Sequence, residues 1–315
     1  MPVRHYPPVA LHELASMDSA AREHLLQRAE DDLDTFLDGV KPIIEAVRID
    51  GDEALARFGR EFDGASSLEA HEIAATKADI DSAFDKIDPG MVETLEYAAD
   101  NIRRYHEEQL PPEMWMKEIR PGVLVGERAT AIDSVACYSP RGKGSFPSVT
   151  LMTAIPAAVA GVTNPIILTP PGEDGQVDSA TLVDARLAGV ERVFKAGGAQ
   201  AVAAAAYGTQ SIPRCFKIVG PGSPWLVAAK RQLMGLIDPG LPAGPSETII
   251  LADPTANPFV AALDMTIESE HGPDSSSFLV TWSRALAEAV RLAIPDYWDQ
   301  QNETCLLYTS DAADE

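Results

Sequence analysis

Glu268 and His271 stand three residues apart in the stretch ESEHGPDSSS, residues 268–277. On a helix that spacing projects both side chains to one side. A carboxylate oxygen and an imidazole nitrogen so placed can both reach one metal ion at about 2.0–2.2 Å. Two ligands are too few for a tight structural site, so other ligands must come from elsewhere. The competing reading is a charged helix end. His271 then precedes the Gly272–Pro273 stop, stabilised by the helix dipole and by Glu268.

Four other loops carry residues that could do chemistry. In YSPRGKGSFPS, Tyr138 to Ser148, Gly142 and Gly144 would let backbone amides approach an anion beside Arg141 and Lys143. The spacing is not that of a P-loop, and a flexible basic loop is the other reading. In KAGGAQAVAAAAYG, Gly197 and Gly198 make a strand-to-helix turn and Gln200 falls in the helix's first turn. Its amide could bond a carboxamide, a ribose or a phosphate, while the alanine run is read as close helix packing. In VGPGSPW, Ser223 and Pro224 form a favoured N-cap and first-turn pair, so Ser223 is expected to cap. In LPAGPSE, two prolines and a glycine would present Ser246 in a fixed position.

These loops need elements to hold them. Residues 20–47 carry apolar positions at helical spacing, and another helix is predicted near Pro89 to Glu108. Strand-like pieces follow around Ile119 and Val123 to Val125. From Ile132 the texture alternates: DSVACY, PIILTP, ERVFKA, CFKIVG, TIILAD and SSFLVTWS read as strands, each followed by a helical segment. The last helix but one, NPFVAALDMTIESEH, has Phe259, Val260, Leu263 and Ile267 as an expected core-facing stripe. Strands spaced by helices of this length imply a parallel sheet covered on both faces, a doubly wound α/β fold. In such folds ligands collect where the strands end.

Composition narrows the partners. With 25 Lys and Arg against 48 Asp and Glu, the formal charge of −23 argues against nucleic acid or an anionic membrane. The three cysteines, Cys137, Cys215 and Cys305, lack metal or disulfide spacing, which points to a reducing cytoplasm. No signal-peptide core is read at the N-terminus, and no apolar run approaches the roughly 20 residues of a membrane span.

Taken in order, VKPIIEAVRIDGDEAL, NIRRYHEEQLPPE, KAGGAQAVAAAAYGT, KIVGPGSPWLVAAKRQ, LPAGPSE and EHGPDS resemble the histidinol dehydrogenase family. The resemblance covers most of the chain. It implies a homodimeric enzyme with Zn2+ that oxidises an amino alcohol, L-histidinol, to the amino acid in two NAD-dependent steps. It also implies two incomplete Rossmann-like domains. Residues 31–130 with 246–304 would form the first and 131–245 the second, after an N-terminal helical arm at 1–30. By position, Tyr138, Gln200 and Ser223 match NAD-contacting residues, Ser223 standing where asparagine is usual. Ser246, Glu268 and His271 match the substrate side of the site, with Glu268 and His271 at zinc positions. Glu268 replaces a usual glutamine, which adds charge at the metal. Arg141 also departs from the family, and with Lys143 it would suit an anionic alcohol such as a sulfonated propanediol. A non-catalytic ligand-binding relative is the alternative of another class.

The family's catalytic Glu-His pair is expected beyond residue 304, so no catalytic residue is assigned in this chain and the fragment is expected to be inactive. Residues 305–315, CLLYTSDAADE, lack any β-α texture and resemble a reading frame through a sequencing adaptor. A natural polar terminus is the alternative.

Overall fold

Both faces of strands Ser134–Tyr138 (β3) and Asn164–Thr169 (β4) are buried, which explains why each reads as an unbroken apolar run. A computed structural model of the chain describes residues 9–26, 33–141, 146–241, 247–269 and 275–298. They fall into two compact units, one of Leu33–Ala243 and one of Met1–Asp32 with Gly244–Glu315.

In the larger unit, β3 and β4 pair in parallel with each other and with Val193–Lys195 (β5) and Lys217–Val219 (β6). The order across the sheet is β5-β4-β3-β6. Counted within this sheet, that is 3-2-1-4, the strand order of a Rossmann half-fold extended by one strand. Alternation sorts the side chains. Ala136, Tyr138, Ile166, Leu168, Phe194 and Ile218 join one core, and Val135, Cys137, Ile167 and Val193 join the other.

The first core is roofed by Leu33–Asp50 (α2), Asp52–Phe62 (α3), Gly198–Tyr207 (α8) and Pro224–Gln232 (α9). The second is roofed by Lys77–Ala83 (α4), Pro89–Glu107 (α5), Pro147–Val159 (α6) and Ser179–Ala188 (α7). Helix α8 buries Ala199, Ala201 and Ala203 to Ala206. Such small side chains let a helix that is apolar all round lie close to the sheet. Helix α7 ends as its sequence predicts, on Gly189 in the left-handed conformation with φ 80°.

Strands Met114–Arg120 (β1) and Val123–Arg128 (β2) form an antiparallel hairpin exposed along its whole length. The helical segment expected over residues 20–47 is seen as Ser19–Leu26 (α1) and most of α2, with residues 27–32 between them outside the described residues.

The smaller unit pairs Glu247–Leu251 (β7) with Ser276–Val280 (β8) in parallel, joined through Pro258–Ser269 (α10) and followed by Arg284–Trp298 (α11). Its core holds Ala252, Ala261, Ala262, Leu286, Val290, Ala293, Ile294 and Trp298, with Val9 packed against it. Here one expectation is overturned. Phe259, Val260, Leu263 and Ile267 do not face this core and are 43–55% exposed. The small face of Ala261, Ala262 and Thr266 turns inward instead. Periodicity marks an apolar face of a helix, but the inward face is chosen by how closely it can approach α11. Among the described residues no helix is long and apolar enough to cross a membrane.

Candidate functional site

Helices α6 and α7 lie on one face of the four-stranded sheet, and α8 and α9 on the other. The chain therefore reverses its winding between β3 and β6. In open α/β sheets that reversal opens a crevice at the carboxyl ends of the two strands. Tyr138 is the last residue of β3 and is buried. Its phenol oxygen accepts the backbone N–H of Gly198 at 3.0 Å, and burial pushes its ionisation far up. The hydroxyl is thus a neutral tether between the end of β3 and the start of α8.

The Gly197–Gly198 turn needs both glycines. Gly198 has φ +48°, and a carbon added at Gly197 would meet the Pro170 ring at 2.9 Å. Gln200 lies in the first turn of α8 and is buried. Its Oε1 would stand 3.2 Å from a β-carbon at Gly198, so the amide closes over the same turn.

Across the crevice, Gly220 follows β6 with φ +115°, and any side chain there would run into the Tyr138 carbonyl. Lys230 is buried beneath it and donates to the Gly220 carbonyl at 2.7 Å. Burial brings the Lys230 amine down to about 8. Ser223 does stand at the N-cap of α9, but its side chain makes no capping bond. The expected cap is therefore corrected. Pro224 at N1 removes one orphan N–H, and the exposed Ser223 hydroxyl is left facing solvent.

Asp63 is a neighbour that the sequence reading missed. It follows α3 as its C-cap residue, and its Oδ1 would lie 3.2 Å from a carbon added at Gly197. Its Oδ2 is buried without a hydrogen-bond partner. Burial pushes the carboxyl up to about 6, against the pull of Arg141. Arg141 itself donates to the Gln176 carbonyl at 3.2 Å. In REFDG, an acid after an aromatic residue reads as a solvated helix end, and no local signal marks it otherwise. Lys143, Gly142 and Gly144 lie outside the described residues.

In the smaller unit, Glu268 is buried near the end of α10. Its Oε2 accepts the Thr248 hydroxyl from β7 at 2.8 Å. Thr248 is a second residue that sequence reasoning passed over, because a strand threonine carries no motif. Ser246 and His271 lie outside the described residues. Among the described residues no group of three His, Cys, Asp or Glu is placed to hold a metal.

Relatives agree with this architecture. A family model described as histidinol dehydrogenase matches residues 26–312. A histidinol dehydrogenase homolog of Colwellia psychrerythraea is 55% identical over 96% of this chain and 68% of its own length. A histidinol dehydrogenase of Synechocystis is 43% identical over 91% of this chain and 66% of its own. The crystal structure of histidinol dehydrogenase from Elizabethkingia anophelis superimposes with a TM-score of 0.83 at 30% identity, covering 93% of this chain and 67% of that one. The chain thus spans about two thirds of the length of the proteins it matches. With the fold, the ordered motifs and these matches in agreement, the chain belongs to the histidinol dehydrogenase family.

Proposed function

We propose that this protein serves the zinc-dependent, NAD-linked oxidation of an amino alcohol to the amino acid, with L-histidinol as substrate. The observation that carries the reading is the tethered turn at the sheet's reversal, where Tyr138, Gly198 and Gln200 meet. Bound NAD would supply the hydride acceptor. Tyr138 fixes the entry to α8, so the remaining leading N–H groups of that helix and the Gln200 amide are held ready for a carboxamide, ribose or phosphate. The uncapped Ser223 hydroxyl is free to turn toward the same ligand. Ser246 is assigned to the substrate. Glu268 and His271 are assigned to zinc, for which a buried carboxylate already held by Thr248 is a suitable donor. A homodimer in the cytoplasm belongs to the same reading.

A second reading is oxidation of a different small polar or anionic alcohol. It is favoured by the higher identity to a protein named as a homolog, 55% against 43%, together with Glu268 at a position of usual glutamine. The two separate in one assay. Protein of the relatives' full length, loaded with zinc, is given NAD with L-histidinol or with a panel that includes a sulfonated propanediol. NADH from histidinol supports the first reading, and NADH from another alcohol alone supports the second. No NADH from any of them would leave a non-catalytic ligand-binding protein.

A further inference from the structure

The carboxyl end of the sheet's second strand is where doubly wound dinucleotide-binding folds place an acid for the adenosine ribose. Here that strand, β4, ends at Thr169 and continues into Pro170, Pro171 and Gly172; the acids Glu173 and Asp174 come only after these, and Asp174 Oδ1 already accepts the Gln176 N–H. Asp63 reaches the same place from a different element. A carbon built on Gly197 would touch both the Pro170 ring, at 2.9 Å, and Asp63 Oδ1, at 3.2 Å, so the three groups converge. Asp63 Oδ2 is enclosed and accepts no hydrogen bond. Among the described residues Asp63 forms no ion pair, the Arg141 guanidinium donating instead to the Gln176 carbonyl. Oδ1, the oxygen that is not enclosed, accepts no hydrogen bond among the described residues either, and a ribose hydroxyl is a donor that suits it.

We propose that Asp63 is a selectivity residue of the dinucleotide site, accepting the adenosine ribose hydroxyls and turning away a 2′-phosphorylated dinucleotide. The inference rests on the NAD reading above and adds to it which dinucleotide is taken. A 2′-phosphate would bring its negative charge against a partly desolvated carboxylate, a repulsive element aimed at one competitor. Removing the carboxylate does more than relieve that repulsion. It also takes a counter-charge out of the field of Arg141, so that guanidinium attracts a nearby phosphate more strongly while keeping its bond to the Gln176 carbonyl.

The test titrates the 315-residue chain with NADH and with NADPH, following the fluorescence of the reduced nicotinamide. Wild type is expected to favour NADH. In Asp63→Asn and Asp63→Ser the ratio of the two dissociation constants should shift toward NADPH by tenfold or more, with far-UV circular dichroism unchanged. An unshifted ratio in a folded variant that still binds NADH overturns the role of Asp63 and leaves the NAD reading intact. Wild type that binds neither dinucleotide overturns the NAD reading, and this inference with it. A measurement on wild type alone guards against variants that do not fold. ADP-ribose should displace NADH at lower concentration than its 2′-phosphate does, and equal displacement overturns the proposal.

Discussion

Gly198 donates its backbone N–H to the Tyr138 hydroxyl at 3.0 Å, tying the end of β3 to the first residue of α8 across 60 positions of sequence. Tyr138→Phe keeps the ring in its buried seat but leaves that N–H without an acceptor. A buried donor stripped of its partner costs about 1–3 kcal/mol. Urea unfolding should therefore show a lower midpoint at unchanged slope. NADH titration should also show weaker binding, because the turn that presents Gln200 loses its anchor. A variant as stable as wild type would mean that another group satisfies Gly198.

Two glycines with positive φ separate backbone strain from crowding. Gly189 has φ +80° and nothing within 4 Å of a built side chain, whereas Gly220 has φ +115° and faces the Tyr138 carbonyl. Gly189→Ala should cost about 1 kcal/mol, the penalty for a left-handed alanine. Gly220→Ala adds a collision with backbone that has no rotamer to escape into. Its loss of stability should be several-fold larger, seen as a much lower melting temperature or failure to accumulate folded protein. Equal melting temperatures would show that the end of β6 can shift away from β3.

Most of this architecture was legible in the sequence because the strands announce themselves. A strand buried on both faces must be apolar throughout, and VACY and IILT are. Gly189 and Gly198 were readable for a similar reason, since few residues other than glycine tolerate their positive φ. The face of α10 was not legible. Its largest apolar residues stand outward, and alanines that carry no periodic signal face the core. Nor was Asp63 legible, because its environment is made by Gly197 and Pro170, more than 100 residues away. Ser223 shows the limit of local rules: the residue type and position are those of a cap, yet no capping bond forms.

The assignment of Glu268 is tested through its charge. Glu268→Gln keeps an oxygen in place and keeps the Thr248 hydroxyl bond available. If Glu268 ligates zinc, losing its charge should weaken zinc binding by about tenfold or more, a change on the scale seen when groups around a metal are altered. Competition with a chromophoric chelator measures it on the purified chain. Thr248→Val removes the donor that orients the carboxylate and should weaken zinc in the same direction. Zinc affinity unchanged in both variants would remove Glu268 from the ligand set.

Asp184 gives the clearest dependence on pH. It lies fully buried on α7, and neither carboxyl oxygen has a hydrogen-bond partner. Burial first, and the charge of Asp178 second, push it up to about 7 from an ordinary value of 3.8. The folded state therefore holds the proton more tightly than the unfolded chain does. Its contribution to stability is complete below about pH 4 and is lost as pH rises toward and through about 7. Asp184→Asn cannot ionise, so this pH-dependent loss disappears, although its amide brings donors into a site that offers no known acceptor. At pH 4 the variant should be no more stable than wild type. Between pH 4 and pH 8 its stability relative to wild type should climb by about 2–4 kcal/mol. Chemical unfolding at several pH values reads this directly. Parallel stability profiles for the two proteins would mean that Asp184 stays ionised with a partner, against the geometry seen here.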